Sequence, residues 1–148
     1  MFVQKILTFI VNENNKLLLL HNNPIDPMHG GDIWYTVTGA VEEYDNSLED
    51  TVKREVKEET NLDIIDTMYL NVIYKYTSRR KIECIEYVYI SFVKENDIIL
   101  NEESIGYIWL DIDEFLSEIY WYYDKEELRH ILSKAIDKKL YYQKEVIR

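Results

Sequence analysis

Apolar positions recur along this chain with the period of a strand in some stretches and of a helix in others. Residues 2–11 and 16–21 are apolar runs on either side of Asn12-Glu13-Asn14-Asn15, a tetrapeptide rich in turn formers, and this predicts a β-hairpin. Residues 22–32 show no periodicity and hold both prolines and two of the four glycines. They form a loop directly before a strand at Trp34, placed equally well for a substrate lid or a plain connector. Between Ser47 and Asn61 the period becomes helical: Leu48, Val52 and Val56 form one stripe, Ser47 caps the start, and Glu49 and Asp50 put negative charge in the first turn. Asn61 follows the last periodic residue and readily takes the left-handed conformation that stops a helix. Residues 63–76 and 82–93 are rich in β-branched and aromatic residues and flank the basic turn Ser78-Arg79-Arg80-Lys81, which predicts a second antiparallel hairpin with a solvated tip. A polar connection at 95–104 leads to a strand over 105–110, a short capped helix at 111–116, the aromatic run Tyr120-Trp121-Tyr122-Tyr123 and a final helix over 124–142 with Asp124 as its cap. The aromatic run suits a core or dimer contact better than a base stack. The order β-β-β-α-β-β-β-α-α predicts an α+β fold, a mixed central sheet with helices on its faces.

Composition narrows the use of such a fold. A chain of 148 residues with no linker, repeat or low-complexity segment reads as one domain, 1–148. The net charge of −11, with 28 acidic against 17 basic residues, and no basic stripe, argues against a nucleic-acid polymer as partner. Polyphosphates would reach so acidic a protein through bridging cations. The single cysteine, Cys84, leaves no internal disulfide and suits a reducing, cytoplasmic setting. The first apolar run is too short for a membrane span. His21, His29 and His130 show no pairing that suggests a ligand set, and no glycine loop ends in the Lys-Ser/Thr of a P-loop.

The helix also carries candidate chemistry. At about 100° per residue, Glu55, Glu58 and Glu59 share an arc that overlaps the edge of the apolar stripe. Carboxylates crowded at the margin of a core repel each other and lose hydration, a cost that a hard divalent ion such as Mg²⁺ or Mn²⁺ relieves. The plain alternative is a solvated acidic helix supported by pairs such as Glu49–Lys53.

The residues around this helix resemble the signature of the Nudix hydrolase family: Gly39 at its start, then Arg54-Glu55-Val56-Lys57-Glu58-Glu59-Thr60, closing on Leu62, with the Trp34-to-Gly39 strand in front. The resemblance implies a Nudix-type α/β/α sandwich. It implies Mg²⁺- or Mn²⁺-dependent hydrolysis of a phosphoanhydride by metal-activated water, in a nucleoside-triphosphate-like or nucleoside-diphosphate-linked small molecule. By the same resemblance Glu55, Glu58, Glu59 and the Gly39 carbonyl hold the metal. Arg54 orients the loop and Glu55, while Glu55 or Glu103 acts as base, Glu103 lying six residues before Trp109 with Glu102 as its competitor. Trp34, Glu42 and Asp45 fall on the substrate side. Two departures stand out. Gly39 to Arg54 is one residue longer than the family spacing, and the loop Glu is replaced by Asp45 or Asn46, which makes Asp45–Arg54 a candidate substitute pair. Asn61 stands where the family has Gly. The altered loop favours the alternative of a non-catalytic Nudix-like nucleotide-binding sensor. The exposed aromatics would suit a homodimer.

Overall fold

The computed structural model describes residues 2–25 and 32–147, with side chains as far as Lys138. The elements are β1 Val3–Val11, β2 Leu17–Asn22, β3 Trp34–Tyr35, β4 Val37–Ala40, α1 Leu48–Thr60, β5 Ile64–Thr77, β6 Glu83–Val93, β7 Ser104–Leu110, α2 Ile112–Glu118 and α3 Lys125–Ile147. The strands form a seven-stranded mixed sheet. β1 lies inside it, parallel to β6 along its whole length, from Val3–Cys84 to Val11–Phe92, and antiparallel to β4 from Lys5–Ala40 to Thr8–Val37.

Alternation along β1 sends successive side chains to opposite faces, and each face has its own apolar cluster. Ile6 and Ile10, with Leu18, Leu20, Tyr89 and Val93, pack under Val52 and Val56 of α1. Leu7, Phe9 and Val11, with Leu17, Leu19, Val88 and Ile90, pack under α2 and α3 through Phe115, Leu116, Leu128, Leu132 and Ala135. The result is an α/β/α sandwich of the α+β class. Val52 and Val56 are fully buried, each contributing about 1.5–3 kcal/mol to holding α1 on the sheet.

The first predicted hairpin is a corner. Its turn is present: the Asn12 side chain accepts from the amides of Asn14 and Lys16, and Asn15 has φ 60°. The strands, however, pair only at Val11–Leu17 before they part. β4 occupies the rest of that edge of β1, and β2 turns away to pair with β7 from Leu17–Leu110 to Asn22–Ser104. The Trp34 strand is split at Thr36, whose hydroxyl donates to the Thr8 carbonyl at 2.5 Å. The second hairpin forms over Ile64–Val93, with register shifts between Ile64 and Asp66 and between Tyr69 and Val72. Residues 26–31 of the 22–32 loop, His29 among them, lie outside the described residues. No helix among the described residues is long and apolar enough to cross a membrane.

Candidate active site

Both ends of α1 are fixed by the capping chemistry of its sequence. The Ser47 hydroxyl accepts from the Asp50 amide at 3.1 Å, and Asn61, at φ 67°, donates its amide to the Lys57 carbonyl at 2.9 Å. With Val52 and Val56 turned into the sheet, residues 54, 55, 58 and 59 fall along the side of the helix that meets β4.

Arg54 ties three segments together. Nε donates to Asp45 Oδ1 at 3.0 Å and Nη2 to Asp45 Oδ2 at 2.9 Å, a two-pronged pair to the loop before the helix. Nη2 also donates to the Ala40 carbonyl at 3.0 Å, and Nη1 to Glu55 Oε1 at 2.9 Å. The ring of Tyr44 covers the guanidinium at 5.4 Å. Asp45 Oδ2 accepts further bonds from the Thr51 hydroxyl and the Glu42 amide, both at 2.9 Å. These bonds, that from Arg54 foremost, hold its carboxyl far below the usual carboxylate range. Of the two loop candidates, Asp45 and not Asn46 faces the arginine. Its side chain is only 4% exposed, so Asp45 is a positioning residue and the expected contact with substrate is corrected.

Glu55 lies against the backbone of β4. A Cβ on residue 39 would stand 2.5 Å from Glu55 Cγ and closer still to its carboxyl group. The glycine is therefore required by a carboxylate. The space that a glycine leaves there is filled by the Glu55 side chain. Burial, foremost, raises the Glu55 pKa, opposed by the bond to Glu59 and by Arg54.

Glu59 is the most deeply placed of the three, 6% exposed, and Oε2 is a buried oxygen without a hydrogen-bond partner. Burial and then the charges of Glu103 and Glu55 push its carboxyl well above the ordinary range. Glu103, on the loop before β7, is thus the carboxylate whose charge most raises Glu59 after burial. The Asn101 side chain, whose Nδ2 donates to Glu103 Oε2 at 3.2 Å, orients it. The site acids do not enclose a point as they stand. Among the described residues no three Asp, Glu, His or Cys side chains gather closely enough to cage an ion. Glu58, half in solvent, leans on Arg54 Nη1 at 3.4 Å. Carboxylates that repel one another spread until a cation draws them in. The orphaned Oε2 of Glu59, beside a Glu55 whose pKa burial also raises, is the donor chemistry that a hard divalent ion satisfies.

The remaining candidates lie elsewhere. Trp34 belongs to the opposite face of the sheet: it packs on the α2–α3 cluster and stacks on His21, centroids 4.6 Å apart, while His21 hydrogen-bonds Asp32. Glu42 is exposed and borders an open cavity of about 590 Å³ lined by Phe2, Gln4, Ile85 and Tyr87. In the aromatic run, Trp121 is partly buried and packs against Phe9, Tyr35 and Tyr74, and Tyr123 stacks on Tyr74 with centroids 4.0 Å apart. Sequence reasoning passed over Glu86, a carboxylate buried in β6; its signal is an acid at a position where the alternation calls for an apolar residue.

The fold is shared with known proteins. A family model described as the NUDIX domain matches residues 1–131. Among solved structures, the MutT protein of Methanosarcina mazei superposes with a TM-score of 0.71 at 22% identity, covering 93% of this chain and 95% of that one. The dihydroneopterin triphosphate pyrophosphohydrolase of E. coli gives 0.67 at 19% identity over 90% and 99% of the two chains. A C. elegans Ap4A hydrolase in a binary complex gives 0.68 at 16% over 93% and 98%. At these identities the likeness is one of fold. No curated protein matches the sequence.

Proposed function

The chain belongs to the Nudix family, hydrolases that act on acid anhydrides, and we propose that it hydrolyses a phosphoanhydride in a nucleoside-triphosphate-like or nucleoside-diphosphate-linked small molecule with Mg²⁺ or Mn²⁺ bound at α1. The observation that carries the reading is the partnerless buried Oε2 of Glu59 beside Glu55 and Glu103. Glu55, Glu58 and Glu59 would hold the ion, with the Gly39 carbonyl beside them. When bound it would neutralise phosphate charge and lower the pKa of the attacking water.

The protein's own residues do the rest. Arg54, fixed by Asp45 and the Ala40 carbonyl, holds Glu55 against β4 and so sets where the helix acids stand relative to the sheet edge. Glu55 is committed to Arg54 and, in this reading, to the ion. Glu103 enters from a different loop and is aimed by Asn101. We therefore assign to Glu103 the proton taken from water. The lone cysteine, buried and reduced, fits a cytoplasmic enzyme. The sensor alternative drew on the altered loop. Asp45 makes the two-pronged pair with Arg54 despite that alteration, so the loop supplies no argument against catalysis.

The test is release of phosphate or pyrophosphate from a panel of nucleoside triphosphates, nucleotide sugars and dihydroneopterin triphosphate, with and without Mg²⁺. Metal-dependent turnover abolished by Glu59→Gln supports the reading. Binding without turnover across the panel would return the protein to the sensor class.

A further inference from the structure

Of the acids assigned to the ion and to the water, Glu103 alone is not carried by α1. It stands on the loop before β7, half-buried, next to an exposed Glu102. A side chain on a loop keeps its rotamer freedom unless its neighbours remove it, and a base must stand within hydrogen-bond reach of the water it serves. Two asparagines hold this stretch. Asn101 acts from within the loop: its Oδ1 accepts from the Glu103 amide at 3.1 Å, and its Nδ2 donates to Glu103 Oε2 at 3.2 Å. Asn23, just past the end of β2, acts from outside. Its amide donates to the Glu103 carbonyl at 2.9 Å, and its Nδ2 donates to the Glu102 carbonyl at 3.0 Å.

The sequence around Asn23 suits this contact. Asn23-Pro24-Ile25 forms an Asx-turn: Asn23 Oδ1 accepts from the Ile25 amide at 3.1 Å, and Pro24 between them has no N–H to satisfy. With its oxygen taken by the turn, the side chain has its amide nitrogen left for Glu102. Aspartate has no such donor, and serine would not reach. The Asn22 amide donates to the Ile33 carbonyl at 2.9 Å, so Asn23 hangs from the sheet at the β2–β3 pair. Opposite it, the register of β2 with β7 shifts between His21–Gly106 and Asn22–Ser104. Ile105 is the extra residue, 55% exposed, and a bulge of this kind bends the strand that carries it two residues after Glu103.

We propose that Asn23 is a positioning residue for the hydrolysis, bracing the Glu102–Glu103 main chain against β2 so that the Glu103 carboxylate keeps one place relative to the acids of α1. This rests on the assignment of Glu103 as the base. The two asparagines divide the work: Asn101 sets the carboxylate relative to its own loop, and Asn23 sets that loop relative to the sheet. β4, which carries Gly39, and the strands packed under α1 belong to the same sheet. The brace therefore fixes Glu103 in the frame that also holds Glu55 and Glu59. A displacement of about 1 Å in such a frame lowers a rate by about a hundredfold.

Asn23→Ser removes the donor to Glu102 and keeps a hydroxyl to close the turn. Asn23→Asp keeps the turn oxygen, loses the same donor, and serves if the serine variant does not fold. Turnover is followed in saturating Mg²⁺ on whichever of dGTP, dATP, dihydroneopterin triphosphate and the nucleotide sugars the parent hydrolyses fastest. Either variant should lower kcat at least fivefold, with KM within twofold of the parent and the Mg²⁺-induced rise in melting temperature intact. Glu103→Gln should lower kcat by about a hundredfold or more. Adding Asn23→Ser to it should change the remainder less than twofold, because the brace acts only through that carboxylate. Unchanged kcat in Asn23→Ser, or an equal loss in both backgrounds, overturns the proposal while leaving the hydrolase reading in place. Full turnover in Glu103→Gln would instead remove the base assignment, and the positioning role with it. A parent that hydrolyses no member of the panel sinks the hydrolase reading, and hydrogen exchange then decides the brace: the Glu103 and Ser104 amides should exchange at least tenfold faster in Asn23→Ser, and unchanged rates overturn it.

Discussion

Replacing Glu59 with Gln separates what this residue does for the fold from what it does for the ion. The two side chains have the same shape, so packing beside Val56 is kept. The change removes a charge from a site where Oε2 has no partner and where Glu103 and Glu55 repel it. The amide leaves a polar atom in the same place but carries no charge, and the lower desolvation cost is worth about 1–3 kcal/mol. In a chain of this size each kcal/mol moves the melting temperature by about 2–4 °C. Without metal at pH 8, Glu59→Gln should therefore melt about 2–12 °C higher than the parent protein. Saturating Mg²⁺ should reverse the order. At a hundred times its Kd the ion stabilises the parent by about 2.7 kcal/mol, which amounts to roughly 5–10 °C, whereas the variant should gain almost nothing and lose turnover. Differential scanning fluorimetry with and without Mg²⁺ reads both effects. A variant that is less stable than the parent without metal, or that keeps the full Mg²⁺ shift, refutes the reasoning.

Further outcomes follow from the same geometry. Gly39→Ala places a methyl where the Glu55 carboxyl lies; turnover should fall at least tenfold with the helical circular dichroism unchanged, and an unimpaired enzyme would show that Glu55 can stand elsewhere. Asp45→Asn loses the charge-assisted pair with Arg54, so kcat should drop by an order of magnitude while the Mg²⁺-induced melting shift survives, checked by kinetics and fluorimetry on one preparation. The acids also set a pH dependence. Glu55, Glu59 and Glu86 are raised by burial, and a carboxyl raised on folding adds stability below its unfolded pKa that is lost as pH climbs through the folded one. Asp45 is lowered, so its contribution is lost only as pH falls below the ordinary carboxylate range. Metal-free protein should accordingly be most stable in weak acid and melt lower at pH 8 than at pH 5. A flat profile would contradict the burial assigned to these groups.

Much of this was legible from periodicity and caps. Ser47, Asn61 and the Leu48–Val52–Val56 stripe fixed α1 to the residue, because local hydrogen bonds and one apolar face decide a helix. The hairpin over residues 63–93 could be read because its pairing is between sequence neighbours. The first hairpin could not: β4, twenty residues further on, claims the edge of β1 that β2 was expected to take. Competition between partners distant in sequence leaves no local mark. The acids of α1 were visible as an arc on a helix, but the reason for Gly39 was not, since it depends on where the Glu55 side chain lies. Glu86 was visible as an acid out of phase and was passed over because alternation was read for strands, not for exceptions. Trp34 was assigned to the substrate side from its neighbours in sequence, yet pairing with β2 stacks it on His21.

The two-pronged grip of Asp45 on Arg54 has a consequence for how this loop can change. An aspartate is one methylene shorter than the glutamate it replaces, and the turn that carries it is one residue longer. Reach has been moved from side chain to main chain, and the distance to the guanidinium is kept. The geometry predicts that neither alteration is tolerated alone: a shortened turn would leave the aspartate stranded, and a glutamate on the present turn would overshoot. A double replacement that restores both at once should be silent where each single one is not.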